Sequence, residues 1–218
     1  MTDVAAFDFD GTLTNGGSVF AFLAAVAGPT AVVRAGTSLA PRLARAALVG
    51  GSAADAAKEA LFTRTLAGVE EERLADVGES FARRHLASHL RGEVVDRLEW
   101  HRRRGDRVVV VSASPACYVR PAAALLGADD VIATELAVVD GVLTGAYAGA
   151  NCRGTEKLRR LTEWVAGLDE PPGRLWAYGN SRGDARMLAG ADVGVNVGRL
   201  GRLGRLGRYP GLGAATPG

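Results

Sequence analysis

Four consecutive valines, Val108 to Val111, stand between Arg107 and Ser112 and form the strongest strand signal in the chain. An apolar run without alternation suits a strand buried on both faces, and such strands belong to parallel sheets covered by helices on either side. Other segments supply the neighbours. Val4 to Phe9, Asp130 to Thr134, Arg174 to Tyr178 and Val193 to Val197 read as further short strands. Helical patterns at Glu93 to Arg104, Pro115 to Leu126, Gly154 to Val165 and Arg182 to Leu188 alternate with them. Leu136 to Tyr147 alternates about Asp140-Gly141, a hairpin turn signal. The expected fold class is α/β, a Rossmann-like three-layer core built on a parallel sheet.

From about Ser18 to Leu90 the pattern changes. Ala, Leu, Arg and Glu dominate, and Pro29, Pro41 and Gly50-Gly51 divide the stretch into several helices. This block is expected to be an inserted α-helical cap over residues 15–90, with the catalytic core at 1–14 and 91–198. Residues 199–218 repeat Gly-Arg-Leu and end in Pro, Gly and Ala, so a disordered tail is expected there. Residues 11–33 carry no charge. Gly28-Pro29 interrupts them, so a buried or interfacial helix is expected rather than a membrane span of roughly 20 residues.

The net charge of +2 over 218 residues gives no reason to expect nucleic acid. Two cysteines, Cys117 and Cys152, make neither a disulfide framework nor a metal motif. No basic segment followed by an apolar run opens the chain, so no signal peptide is expected and a reducing cytoplasm is the default compartment. Only Lys58 and Lys157 are lysines among 26 basic residues, which draws attention to where they fall.

In open α/β sheets ligands collect outside the carboxyl ends of the strands. Asp8 and Asp10 end the first strand. Two carboxylates that close repel and call for a cation or a shared proton; magnesium, a hard ion that takes oxygen ligands and bridges to phosphate, suits them. Alone, such a pair is equally a solvated acidic loop. Here it follows an apolar strand and precedes Gly11-Thr12, whose backbone N–H groups can approach a phosphate. Ser112 ends the second strand as a phosphate donor, and Ser114 before Pro115 reads as a helix cap. Lys157 can neutralise phosphate charge, or can be a plain surface lysine. Asn180 and Asp184 follow a later strand, where Asp184 can also cap a helix.

The order of these groups resembles the haloacid dehalogenase superfamily. Its first motif, D-x-D-G-T, is matched by Asp8-Phe9-Asp10-Gly11-Thr12; its second by Val108 to Ser112; its third by Lys157; its fourth by Gly179-Asn180-Ser181-Arg182-Gly183-Asp184. The helical insertion between the first two motifs resembles the phosphoserine-phosphatase-like branch. The resemblance implies a phosphomonoester hydrolase in which Asp8 is the nucleophile, forming an aspartyl-phosphate, and Asp10 the acid and base. It implies that Gly11, Thr12, Ser112, Ala113 and Lys157 hold the phosphoryl group, and that Asp8, the Asp10 carbonyl, Asn180 and Asp184 bind Mg2+. Two departures stand out. Asn180 replaces the usual first acid of the fourth motif. Gly11 and Ala113-Ser114 replace the Ser and Gly-Gly of true phosphoserine phosphatases. The expected substrate is a small or lipid-like phosphate monoester, with peripheral lipid contact through the cap as a corollary of the uncharged segment. Phosphoserine or histidinol phosphate, and a non-catalytic phosphate-binding protein on the same fold, are the alternatives. Asp10 and Asp184 argue against a dehalogenase.

Overall fold

The computed structural model describes residues 2–198 and 206–215. Its central sheet has five parallel strands in the order β3-β2-β1-β6-β7. They are β1 (Val4–Phe7), β2 (Arg107–Pro115), β3 (Asp130–Thr134), β6 (Leu175–Gly179) and β7 (Val193–Asn196). β1 lies in the middle, with Val4 to Phe7 in register with Arg107 to Val110 on one side and Leu175 to Tyr178 on the other. A separate antiparallel hairpin pairs β4 (Leu136–Val139) with β5 (Val142–Tyr147), turning at Asp140-Gly141.

Side chains along a strand alternate between faces, so a fully apolar strand feeds two cores. Ala5, Phe7, Val108, Val110 and Tyr178 join one cluster, with α5 (Glu71–His89), α6 (Gly92–Arg103) and α7 (Ala116–Leu125). Ala6, Val109, Val111 and Ala177 join the other, with α8 (Thr155–Ala166) and α9 (Ala185–Gly190). All four valines of β2 are completely buried, each contributing about 1.5–3 kcal/mol of burial. The molecule is thus a three-layer α/β sandwich with a helical insertion between β1 and β2.

That insertion comprises α1 (Val19–Ala27), α2 (Pro29–Ser38), α3 (Ala40–Val49), α4 (Ser52–Leu66) and α5. The breaks fall where Gly and Pro were expected to place them: Gly28 precedes Pro29 in a left-handed conformation, and Gly50 and Gly51 separate α3 from α4. The chain leaves and rejoins the core through two short segments held side by side. Asn15 N–H donates to His89 O at 2.7 Å, and Arg91 N–H to Leu13 O at 3.0 Å. Phe22, Phe81 and Tyr118 form an aromatic cluster with centroids 4.5–5.4 Å apart, joining α1 and α5 to α7.

The uncharged segment at residues 11–33 holds the buried helix expected there: Phe22, Leu23 and Val26 pack against the rest of the protein, while Phe20 and Val33 stay exposed. Among the described residues no single helix is long and apolar enough to cross a membrane; α1 and α2 together are, but they meet at 117°. Two expectations change, and the first concerns the tail. Its residues 199–205, with Arg199, Arg202 and Arg205, lie outside the described residues. Residues 206–215 are placed on the core rather than loose. Leu206 and Ala215 are buried, Asn196 N–H donates to Pro210 O at 2.9 Å, and Arg97 reaches Leu212 O and Ala215 O. Second, Ser114 does not cap α7; its hydroxyl turns elsewhere, and Pro115 holds the N-cap position.

The insertion packs tightly on the core at Gly78 of α5, where a Cβ would stand 2.4 Å from the Cys117 carbonyl oxygen. Gly→Ala in a helix interior ordinarily stabilises by about 0.5–1 kcal/mol. At Gly78 the contact reverses the sign, and Gly78→Ala is expected to lower stability by about 1–3 kcal/mol, read from the urea midpoint. A variant more stable than wild type would contradict this packing.

Candidate active site

The sheet order places β1 where the connections diverge: β2 and β3 lie to one side, β6 and β7 to the other. Ligand crevices in open α/β sheets form at that switch point, outside the strand carboxyl ends. Asp8 is the first residue beyond β1, its N–H bonded to Tyr178 O at 2.9 Å. Lys157, in the first turn of α8, donates to Asp8 Oδ1 at 2.6 Å and to Asp184 Oδ1 at 2.7 Å. Lys157 is 1% exposed, which excludes the surface-lysine reading. Burial alone would lower its pKa, but Asp184 and Asp8 outweigh that and hold it above the ordinary lysine range. Burial, followed by the neighbouring Asp184 charge, pushes Asp8 up to about 7 against the pull of Lys157. Burial would also raise Asp184, yet Lys157 and the Ser181 donors keep it low.

Asp8 and Asp10 do not share partners, although their spacing suggested one common cation. The chain turns after Phe7, and the two carboxylates diverge. Asp8 Oδ2 accepts the Thr12 hydroxyl at 2.8 Å. Asp10 Oδ1 accepts Ser18 N–H at 2.7 Å, and Asp10 Oδ2 accepts the Ser114 hydroxyl. Thr12, expected at the phosphate, therefore spends its side chain on the nucleophile candidate.

Asn180, in the loop after β6, lies over Gly11. A Cβ at residue 11 would meet the Asn180 amide at 2.2 Å, and Gly11 has φ +79°, so glycine is required twice over. The Asn180 amide oxygen sits 3.3 Å from Asp8 Oδ2 and 3.1 Å from the Asp10 carbonyl oxygen. Three oxygens so arranged repel unless a cation lies among them or the amide turns over to donate to the same atoms. No group of three or more His, Cys, Asp or Glu side chains able to hold a metal occurs among the described residues. The oxygen set that does converge is of mixed type: carboxylate, carbonyl and amide, which fits a hard ion such as magnesium. Asp184, expected in that shell, is engaged otherwise. Its Oδ2 accepts Asn180 N–H, Ser181 N–H and the Ser181 hydroxyl at 2.9–3.1 Å, while Oδ1 takes Lys157.

Ser112 is buried and its Oγ accepts Ser114 N–H at 3.0 Å. The Ala113 carbonyl accepts Thr134 Oγ1 at 3.0 Å and, from the insertion, Lys58 Nζ at 2.6 Å. Lys58 was not singled out as a site residue. Burial lowers its ammonium to about 8, against the pull of Asp10 and Asp55. Arg153 is close enough to lower it further, and Arg153 also pairs with Asp55 at 3.8 Å. Arg91 is a second unforeseen contributor, its Nη1 donating to the Gly11 carbonyl at 2.7 Å. Neither has a motif in the sequence; both reach the site through the tertiary fold.

Residues 5–189 match the haloacid dehalogenase-like hydrolase family. The chain belongs to that family. Protein CicA of Caulobacter vibrioides is 40% identical over 194 residues, covering 87% of this hydrolase and 83% of CicA. Phosphoserine phosphatase SerB2 of Mycobacterium tuberculosis is 31% identical over 189 residues, covering 87% of this chain and 42% of SerB2. A crystal structure of a protein of unknown function from Bordetella pertussis superposes with a TM-score of 0.74 at 26% identity, over 90% of each chain.

The Lys157 pairings predict a stability effect independent of catalysis. Removing one partner of a buried ion pair typically costs about 3–5 kcal/mol. Lys157→Met is expected to fall in that range by urea denaturation; a loss below 1 kcal/mol, the upper end for an exposed pair, would mean that the ammonium is not buried between the two carboxylates.

Proposed function

We propose that this hydrolase is a magnesium-dependent phosphatase that cleaves a small phosphate monoester through an aspartyl-phosphate at Asp8. The observation carrying the reading is the environment of Asp8: one oxygen held by Lys157, the other by Thr12, on a carboxylate seated at the sheet's switch point. Such bracing fixes a nucleophile's direction. An Asp8 oxygen bonds to phosphorus as the ester P–O bond breaks, and the Asp10 carboxyl passes its proton to the departing oxygen. Asp10, now a carboxylate, takes a proton from the water that attacks the aspartyl-phosphate, releasing inorganic phosphate and restoring Asp8. Lys157, Ser112 and the backbone around Gly11, Thr12 and Ala113 receive the phosphoryl oxygens. Asp8, the Asp10 carbonyl and the Asn180 amide oxygen would hold Mg2+, with Asp184 bracing the loop and Lys157 behind them. When bound, the ion neutralises carboxylate and phosphoryl charge and favours the ionised, nucleophilic form of Asp8.

The substrate class follows from the groups beyond the phosphate. Phe22, Leu23 and Val26 are consumed by packing, which leaves Phe20 and Val33 as the exposed large apolar side chains of the uncharged segment. Lys58 and Arg153 instead bring positive charge from two sides of the Ala113 carbonyl and the Gly183 loop. A small monoester carrying a second anionic group suits them. The relationship to SerB2 agrees with an anionic substrate of that size.

Purified protein with magnesium is expected to hydrolyse para-nitrophenyl phosphate and to lose that activity with EDTA. Asp8→Asn should retain the fold and abolish turnover, and trifluoroberyllate should bind wild type but not Asp8→Asn. Inertness of the magnesium-loaded protein toward a broad panel of phosphate monoesters would overturn the reading. Lys58→Ala should raise KM at least tenfold for phosphoserine but less than threefold for para-nitrophenyl phosphate. Equal changes for both would remove Lys58 from substrate recognition.

A further inference from the structure

Ser114 has no place in the roles given above. Its sequence context marks a helix cap, yet its hydroxyl turns away from α7 and donates to Asp10 Oδ2. The second oxygen of the same carboxylate accepts Ser18 N–H at 2.7 Å. A carboxyl group's terminal torsion is broad and two-fold, so without neighbours its oxygens sweep a wide arc. Two donors from opposite sides, one at the end of β2 and one at the start of α1, stop that rotation. Ser114 is itself held: it is 2% exposed, and its N–H donates to Ser112 Oγ at 3.0 Å. The Ser18 hydroxyl in turn lies 2.7 Å from the fully buried Tyr118 hydroxyl, which fixes the opposite donor.

We propose that Ser114 is a positioning residue for Asp10, holding the carboxyl so that its proton is directed at the leaving oxygen of the substrate. The proposal rests on the phosphatase reading, and it assigns Ser114 no contact with the phosphoryl group or with Asp8. Loss of its hydroxyl impairs proton delivery and leaves phosphoryl binding and capture intact. The harm therefore depends on the leaving group, since a departing oxygen that is already a weak base needs little help from an acid.

The test compares wild type, Ser114→Ala and Ser114→Thr on para-nitrophenyl phosphate, phenyl phosphate and an alkyl phosphate, all with magnesium. For Ser114→Ala, kcat/KM should fall about 10–100-fold with the phenyl and alkyl esters, part of the ~10²–10⁴ that general acid–base help supplies. With the para-nitrophenyl ester it should change less than threefold. Trifluoroberyllate should bind Ser114→Ala as tightly as wild type. Ser114→Thr, which keeps the hydroxyl, should retain the wild-type dependence on leaving group. An equal loss across the three esters, weakened trifluoroberyllate binding, or a folded Ser114→Thr as impaired as Ser114→Ala would each overturn the positioning role while leaving the phosphatase reading standing. A wild type inert on all three esters and on the wider monoester panel would overturn both. Should Ser114→Ala fail to fold, the Thr variant alone decides, because a folded Thr variant with altered leaving-group dependence contradicts the proposal.

Discussion

A single buried ammonium holds the site together. Lys157 joins the carboxylates of Asp8 and Asp184, which follow the neighbouring strands β1 and β6. Burying one unpaired carboxylate is costly, and two together cost more. The pairing allows the strands to end side by side. Asn180 moderates the same balance. An aspartate there would add a further negative charge within 3.3 Å of Asp8; the amide gives an oxygen of similar shape without it. The fold thereby avoids burying a further charge beside Asp8 and Asp184.

The parallel sheet converts this local chemistry into a site assembled from distant segments. Residues 8, 112, 157 and 180 come from four separate units, and no two of them are neighbours in sequence. They meet because parallel strands end at the same edge, and because right-handed crossovers return each helix to one face or the other. Glycine then sets the last few ångströms. Gly11 lets the Asn180 amide rest on the backbone where any side chain would intrude, and Gly179 leaves room for Asp184 Cβ at the position its own Cβ would occupy.

Much of this was legible in the chain. A run of valines reads as a two-faced strand because only a doubly covered strand excludes water on both sides, and the burial of Val108 to Val111 bears that out. Glycines and prolines marked the helix breaks because their backbone limits are local. What failed to show was tertiary. Ser114 beside Pro115 carries a capping signature, but its hydroxyl finds another acceptor, an Asp10 carboxyl oxygen, across the site. Asp8 and Asp10 suggest one shared cation by their closeness in sequence, but the chain turns at Phe9 and their carboxylates take different partners. The Gly-Arg-Leu tail has the composition of disorder, yet Leu206, Tyr209 and Ala215 find apolar or aromatic neighbours on the core that composition cannot reveal.

The helical insertion also acts on the chemistry directly. Ser18, the residue before α1, presents its N–H to Asp10, while Phe22 one turn later packs into the aromatic cluster with Phe81 and Tyr118. The direction of Asp10 is therefore tied to the seating of α1, and the seating of α1 to the closure of that cluster. Lys58 extends the same dependence to α4, which reaches the Ala113 carbonyl through one hydrogen bond. Lys58 on α4 and Ser18 before α1 thus reach the site from two helices of one insertion, so their contacts share one mechanical frame. A displaced insertion would disturb both at once, while Asp8, Lys157 and Asp184, anchored in the core, would keep their geometry.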